Sequence, residues 1–160
     1  MPNNLDNKDI QILKKLQSDA RITNNDLAEE VGLSPSPCLR RVKRLEQEKI
    51  IKGYAALVDA PAVGLPISVF VTVTLKSQDR ATLKDFESSI GGSPAVMECY
   101  LMTGTGDYLL RVVVPDLQAY ELFLAETLTG IPCVASIQSS FALKQVIYKT
   151  ALPISQQKPA

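Results

Sequence analysis

The hydrophobic period of this chain changes once, close to residue 60, and that change calls for two parts built in different ways. Upstream, apolar residues recur at the three-and-four spacing of helices. Downstream, stretches that alternate every second residue are separated by helical stripes. Asp59-Ala60-Pro61 and Gly64-Leu65-Pro66 punctuate the change and mark a connection between the parts.

The upstream part reads as three short helices. Ile10, Leu13, Leu16 or Gln17, and Ala20 follow the helical spacing of the first, with Asp6 and Asp9 near the positive end of its dipole. The second opens at Thr23, with Asp26 completing an approximate capping box. It places Leu27, Ala28 and Val31 on one face and stops at Gly32. The third starts with Ser34 as N-cap. Pro35 takes its first position and Pro37 its third, where a missing N–H leaves no helical bond unmade. Ile50 to Leu57 then reads as a strand. Helix, glycine turn, basic helix and strand are the parts of a winged helix-turn-helix.

Downstream, Ile67, Val69, Val71, Val73 and Leu75 line one face of a strand, with Ser68, Phe70, Thr72 and Thr74 on the other. A helix carrying Leu83, Phe86 and Ile90 follows and ends at Gly91-Gly92. Strands over 95–103 and 107–114 flank Gly104-Thr105-Gly106, a hairpin signal. Leu117, Tyr120, Leu124 and Leu128 stripe a second helix, and 133–143 is the last strand. The order β-α-β-β-α-β is the split βαβ unit, with both helices on one face of one sheet. Phe70 and Thr72 on the uncovered face suggest a second copy of the sheet, hence a dimer.

The fold class expected is therefore α+β. A winged helix-turn-helix occupies 1–55, a linker strand 56–66, a ferredoxin-like βαββαβ domain 67–150 and a tail 151–160, with disorder expected from Ile154 to Ala160.

Composition closes several function classes. The chain has no histidine, which removes His-based acid–base pairs, Ser-His and Cys-His nucleophiles and every His-containing zinc site. Cys38, Cys99 and Cys133 form no C-x-x-C, so they offer neither a disulfide framework nor a metal knuckle. All three are expected to be buried and inert, and their odd number suits a reducing compartment. The charge-rich start does not resemble a signal peptide, and no apolar run approaches a membrane span. A soluble cytoplasmic protein with no metal, no prosthetic cofactor and no membrane partner is expected.

Lys+Arg and Asp+Glu both number 17, so the net charge is zero. Between Leu39 and Lys52, however, six basic side chains oppose only Glu46 and Glu48, a local net of +4. Around the third helix, Leu39, Val42 and Leu45 are expected inward, with Cys38 close to that direction. Ser36, Pro37, Arg40 and Arg44 lie opposite, and Arg41 and Lys43 flank them. Such a face is either ordinary solvated charge or a helix that enters a major groove, where Arg pairs with guanine and the helix N-terminus attracts phosphate. The preceding capped helix and glycine turn favour double-stranded DNA. The expected contacts are Ser34, Ser36, Pro37, Arg40, Arg41, Lys43 and Arg44.

The run Leu33-Ser34-Pro35-Ser36-Pro37-Cys38-Leu39-Arg40-Arg41-Val42-Lys43-Arg44-Leu45-Glu46 resembles the recognition helix of the Lrp/AsnC family of transcriptional regulators. Leu5-Asp6-x-x-Asp9-x-x-Ile12-Leu13, the stretch Thr103-Gly104-Thr105-Gly106-Asp107-Tyr108-Leu109-Leu110, and Ser139-Ser140-Phe141-x-Leu143-Lys144 fit the same family, and the likeness spans about residues 4–153. The resemblance implies an effector and oligomerisation domain, dimers built by sheet-on-sheet packing, and octamers made of four dimers. It also implies a nucleoid-associated location.

The glycine hairpin has two readings of its own. Its backbone N–H groups can bind a carboxylate while Asp107 holds an ammonium, as a zwitterionic amino acid requires; or it is a plain turn with Asp107 bonded to nearby backbone. The resemblance implies an amino-acid effector pocket between dimers. The expected residues are Thr103, Gly104, Thr105, Gly106, Asp107 and Tyr108, completed by Ser136, Gln138, Ser139 and Ser140 of a neighbouring subunit. The family hairpin carries a bulkier residue where this chain has Gly106, which alters the pocket. The ending Phe141 to Pro153 resembles members that sense small apolar or sulfur-containing amino acids, so leucine, methionine and cysteine are the candidates. The expected function is a sequence-specific, amino-acid-responsive transcriptional regulator and not an enzyme. An architectural DNA-binding protein without effector is the alternative. A siroheme-decarboxylase-like enzyme is a more remote one, disfavoured by the missing histidine.

Overall fold

A computed structural model describes residues 5–155. The chain divides into two compact units, one formed by the residues up to Ala56 together with those from Val146 onward, the other by Leu57–Gln145.

In the first unit, α1 (Asn7–Ser18), α2 (Asn24–Glu30) and α3 (Pro35–Gln47) begin where their caps dictate. Asp6 accepts from the Asp9 N–H at 2.9 Å, while Asp9 accepts from the Asp6 N–H at 3.1 Å, so two orphan donors are satisfied reciprocally. Thr23 caps α2 by accepting from the Asp26 N–H at 3.2 Å. Gly32, at φ +62°, supplies the left-handed residue that turns α2 into α3. Ser34 occupies the N-cap of α3 without a side-chain bond. The start of α3 is tied to α2 instead by Asn24, which donates to the Pro35 carbonyl at 2.9 Å. Ile12, Leu13, Leu27, Ala28, Val31, Cys38 and Leu45 form the core.

Four expectations for this unit are corrected. Ala20 lies beyond the end of α1 and is exposed; Ile12 is buried in its place. Leu39 is 41% exposed, because the inward stripe of α3 runs through Cys38, Val42 and Leu45, about a tenth of a turn from the direction expected. Ile50 to Leu57 forms no strand, and 56–66 holds a single 3-10 turn, Pro61–Val63, with no linker strand. An extended segment without a neighbouring strand has no ladder to join. Finally, part of the expected tail is docked. Gln17 accepts from the Leu152 N–H at 2.6 Å and donates to its carbonyl at 3.3 Å, and Ile154 packs on the helical core. Residues 156–160, within the stretch expected to be disordered, lie outside those described.

The second unit contains β1 (Ile67–Leu75), α4 (Arg80–Ile90), β2 (Val96–Leu101), β3 (Tyr108–Val114), α5 (Leu117–Phe123) and β4 (Val134–Phe141). The antiparallel sheet has the order β2-β3-β1-β4, that of a ferredoxin-like fold. Val69, Val71 and Val73 of β1 meet Leu110 and Val112 of β3, Phe86 of α4 and Tyr120 of α5 in one core. The chain continues past α5 as a π-helical turn, Leu124–Leu128. Phe123 and Leu128 are buried, whereas Leu117, expected in the core stripe, is 62% exposed. Cys99, on edge strand β2, is exposed rather than buried, and Cys133 is half-buried.

Replacing Phe86 with Ala is expected to cost about 3–5 kcal/mol of stability, because a fully buried ring in contact with Tyr108 is deleted. Replacing Leu117 with Ala is expected to change stability by less than about 0.5 kcal/mol. Urea unfolding at fixed protein concentration checks both, and similar costs for the two would contradict the orientation of α5.

Candidate functional site

The outward face of α3 carries Ser36, Leu39, Arg40, Lys43 and Gln47, which with Asp6, Arg41 and Arg44 line a shallow open groove. At about 100° per residue, Ser36, Arg40, Lys43 and Gln47 project away from the Cys38–Val42–Leu45 stripe. Arg40 and Lys43 are exposed and join no ion pair among the described residues.

Arg41 and Arg44 are held differently. Arg41 donates to Asp6 at 2.6 Å and to Asp9 at 2.8 Å, and Arg44 donates to Asp9 at 2.5 Å. Asp9 is fully buried, so its two guanidinium partners and the Asp6 N–H replace the water it has lost. The seven predicted DNA contacts therefore divide: Ser34, Ser36, Arg40 and Lys43 are exposed, Pro37 is half-buried, and Arg41 and Arg44 face α1. The Asp6 carboxyl is held below its ordinary value of 3.8 by the Asp9 N–H and then by Arg41. Burial pushes the Cys38 thiol up, consistent with an inert core residue.

In the second unit the hairpin between β2 and β3 is pinned to β1. Asp107, 6% exposed, accepts from the Leu75 N–H at 2.7 Å and from the Gln78 side-chain amide at 2.6 Å. Its own N–H donates to the Val73 carbonyl at 2.9 Å. Its carboxylate is thus committed to backbone and amide donors. Gly104, at φ +118°, turns the exposed tip Thr103–Thr105. Gly106 is buried, and a Cβ there would lie 2.3 Å from the Thr72 methyl group, so the departure from the family pattern is a packing requirement. Tyr108 is buried beside α4, its ring tilted 36° to that of Phe86 with centroids 4.6 Å apart, and it donates to Glu87 at 2.9 Å.

The β4 residues divide by face. Register places Ser136 beside Thr74, Gln138 beside Thr72 and Ser140 beside Phe70, all on the face without helices. Ser139 pairs with Val71 and its hydroxyl bonds to Tyr120 of α5, on the opposite face. Gly106, Thr72 and Gln138 therefore share one side of the sheet, while Tyr108 and Ser139 occupy the other. The open face also carries Glu98, which accepts from Arg111 at 2.7 Å and Tyr100 at 2.9 Å. Arg111 and then Tyr100 hold the Glu98 carboxyl below its usual range. Sequence reasoning missed the Arg111–Glu98 pair and Gln78, whose partners lie on strands and loops distant in sequence.

Among the described residues no helix is long and apolar enough to cross a membrane, and no group of three or more Cys, Asp or Glu side chains is placed to hold a metal ion.

Residues 5–52 match a family described as winged helix-turn-helix DNA-binding, and residues 68–152 match the Lrp/AsnC ligand binding domain. The chain is 51% identical to the Bkd operon transcriptional regulator of Pseudomonas aeruginosa over 94% of its length and 98% of that protein's. It is 39% identical to the leucine-responsive regulatory protein of Escherichia coli, covering 94% and 92% of the two chains. The structure of a Neisseria meningitidis transcriptional regulator in complex with L-Met superposes with a TM-score of 0.88 at 42% identity, over 93% of this chain and 96% of that one. These relatives are transcriptional regulators, not enzymes.

Two predictions follow from the geometry. Gly106→Ala is expected to cost about 1–3 kcal/mol through the clash with Thr72, and adding Thr72→Ser, which removes that methyl group, recovers part of the loss. Thermal unfolding of the single and double variants decides it, and equal stability of the two would contradict the contact. Asp6 contributes stability above its unfolded pKa that is lost as pH falls through its depressed folded pKa. Asp6→Asn should therefore flatten part of the acid limb of stability below about pH 4, as measured by thermal melts in a pH series. An unchanged limb would contradict the role of Asp6.

Proposed function

The chain belongs to the Lrp/AsnC family of DNA-binding transcriptional regulators with a ligand-binding domain, and from that premise we propose that it binds specific DNA through the outward face of α3 under the control of a small amino acid. The observation that carries the DNA half is the pair of exposed cations, Arg40 and Lys43, with Ser36 near the helix N-terminus, on a helix packed by its opposite stripe. An Arg there reads guanine by two hydrogen bonds, and a Lys neutralises phosphate.

The amino acid is received by the hairpin tip, Thr103 to Thr105, with Ser136, Gln138 and Ser140 of a neighbouring subunit supplying polar contacts. Asp107 shapes this pocket by fixing the hairpin to β1, and its bonds to Leu75 and Gln78 support a positioning role rather than a free carboxylate. Leucine, methionine and cysteine are the candidate effectors. The L-Met complex of the Neisseria regulator and the leucine-responsive name of the E. coli relative support this class. The uncovered sheet face, with Phe70 exposed among Ser and Thr side chains, fits packing against a second copy to form a dimer, four of which would make the octamer. In the cell such an assembly is cytoplasmic and associated with the nucleoid.

Arg40→Ala is expected to weaken binding to a selected operator by about 1–3 kcal/mol while random DNA loses less. Competition binding with both duplexes checks it, and equal losses would contradict base reading. Thermal shift against each amino acid at millimolar concentration is expected to give one clear responder, stabilised by about 2.7 kcal/mol at a hundredfold excess over its Kd. A flat panel with DNA binding intact would instead favour the architectural role.

A further inference from the structure

We propose that Asp9 is a positioning residue for the recognition helix and withdraws Arg41 and Arg44 from the DNA, so that of the four consecutive-turn cations only Arg40 and Lys43 are presented to it. This rests on the reading of α3 as the DNA-binding helix.

Asp9 sits in the first turn of α1 with no exposed surface, and both of its carboxylate oxygens are occupied. One accepts from Arg41; the other accepts from Arg44 and from the Asp6 N–H. Asp6 and Asp9 are three residues apart on one helix, and Arg41 and Arg44 three apart on the other. The two pairs therefore meet as one helical turn against another, with Asp6 also engaging Arg41. Hydrophobic packing of Cys38, Val42 and Leu45 leaves α3 some freedom to rotate about its axis, since apolar contacts have no direction. Three guanidinium–carboxylate bonds on one flank remove that freedom, because their geometry is directional. They fix which side chains face outward.

The same bonds decide which cations are available. For the Arg44 Nη2 to reach a phosphate it must leave a carboxylate that water cannot reach, so a buried charge would lose one of its two guanidinium partners. The Arg44 side chain is 42% exposed along the groove, while its Nε is buried and its Nη2 is bonded to Asp9, so it is anchored at its inner edge. Exposed Arg40 and Lys43 pay no such cost. Four basic residues within one turn and a half of helix thus act as two pairs, one structural and one for recognition.

The test is the salt dependence of DNA affinity, because each phosphate contact contributes a slope of about 0.9 in log K against log salt, whatever fraction of the protein is folded. The full chain and its variants are titrated on a duplex selected from a random pool by the unaltered protein, and on a random duplex. Lys43→Ala, which removes a phosphate contact, makes the slope shallower by about 0.9 and Arg40→Ala lowers the preference for the selected duplex, whereas Arg41→Gln and Arg44→Gln leave both unchanged. Asp9→Asn frees Arg44, and Asp6→Asn added to it frees Arg41 as well. The slope then steepens by about 0.9 in the single variant and by as much as about 1.8 in the double variant, and preference for the selected duplex falls by about tenfold or more. A purely structural Asp9 would lower the melting temperature and the active fraction without altering the slope, and that result overturns the proposal. So does a loss of slope in Arg41→Gln or Arg44→Gln equal to that in Lys43→Ala. If Asp9→Asn does not fold, the two Gln variants decide the question alone. If none of the α3 variants alters the slope, the DNA does not lie on α3, and the reading on which the proposal rests fails with it.

Discussion

A carboxylate taken out of water must find donors for both of its oxygens, and each half of this molecule is arranged around one such group. Asp9 and Asp107 are the buried charged side chains among the described residues. Asp9 collects two guanidinium groups and a helix-capping N–H, and so joins α1 to the flank of α3. Asp107 collects the last N–H of β1 and the Gln78 amide just before α4, and so fixes the hairpin to the centre of the sheet. Neither carboxylate can be unpaired without the cost of a desolvated charge. The surfaces they define, the outward face of α3 and the hairpin tip, are the two to which the proposed function assigns DNA and effector.

Economy follows from this arrangement. A chain with zero net charge concentrates cations on α3, and part of that local excess is paired internally with Asp6 and Asp9. The remaining exposed pair, Arg40 and Lys43, shares its face with Ser36 near the helix start. On the other half, the glycine before Asp107 is needed because the Thr72 methyl group occupies the place of a side chain. The hairpin is therefore closely seated on β1 at its base and free at its tip, where Gly104 turns the chain. That combination is a fixed base and an exposed tip, which is what the proposed amino-acid site requires.

Much of this was legible in the sequence because it is local. The N-cap positions at Thr23 and Ser34, the acidic start of α1, the stop at Gly32, the alternation of β1 and the glycine hairpin each depend on residues within one or two turns of each other. Periodicity was less reliable where a stripe was a residue wide of its true centre. Cys38 rather than Leu39 is the core member of α3, and Phe123 rather than Leu117 that of α5. Strand alternation also separates Ser139 from Ser136, Gln138 and Ser140, a division that follows from period two once the register is known. The commitments of Arg41, Arg44 and Asp107 depend on partners roughly thirty residues away, and the docking of Leu152 on Gln17 on one farther still. Such pairings leave no periodic signal.

The central claim is that one molecule couples a DNA-reading helix to an amino-acid pocket, and coupling of that kind is reciprocal by thermodynamic necessity. The most direct measurement is a calorimetric titration of the responding amino acid into the protein, alone and saturated with its selected duplex. The account predicts that DNA changes the amino-acid affinity by the same factor by which the amino acid changes the DNA affinity, about 5–150-fold in the usual range of such couplings. Identical amino-acid affinities with and without DNA would contradict it.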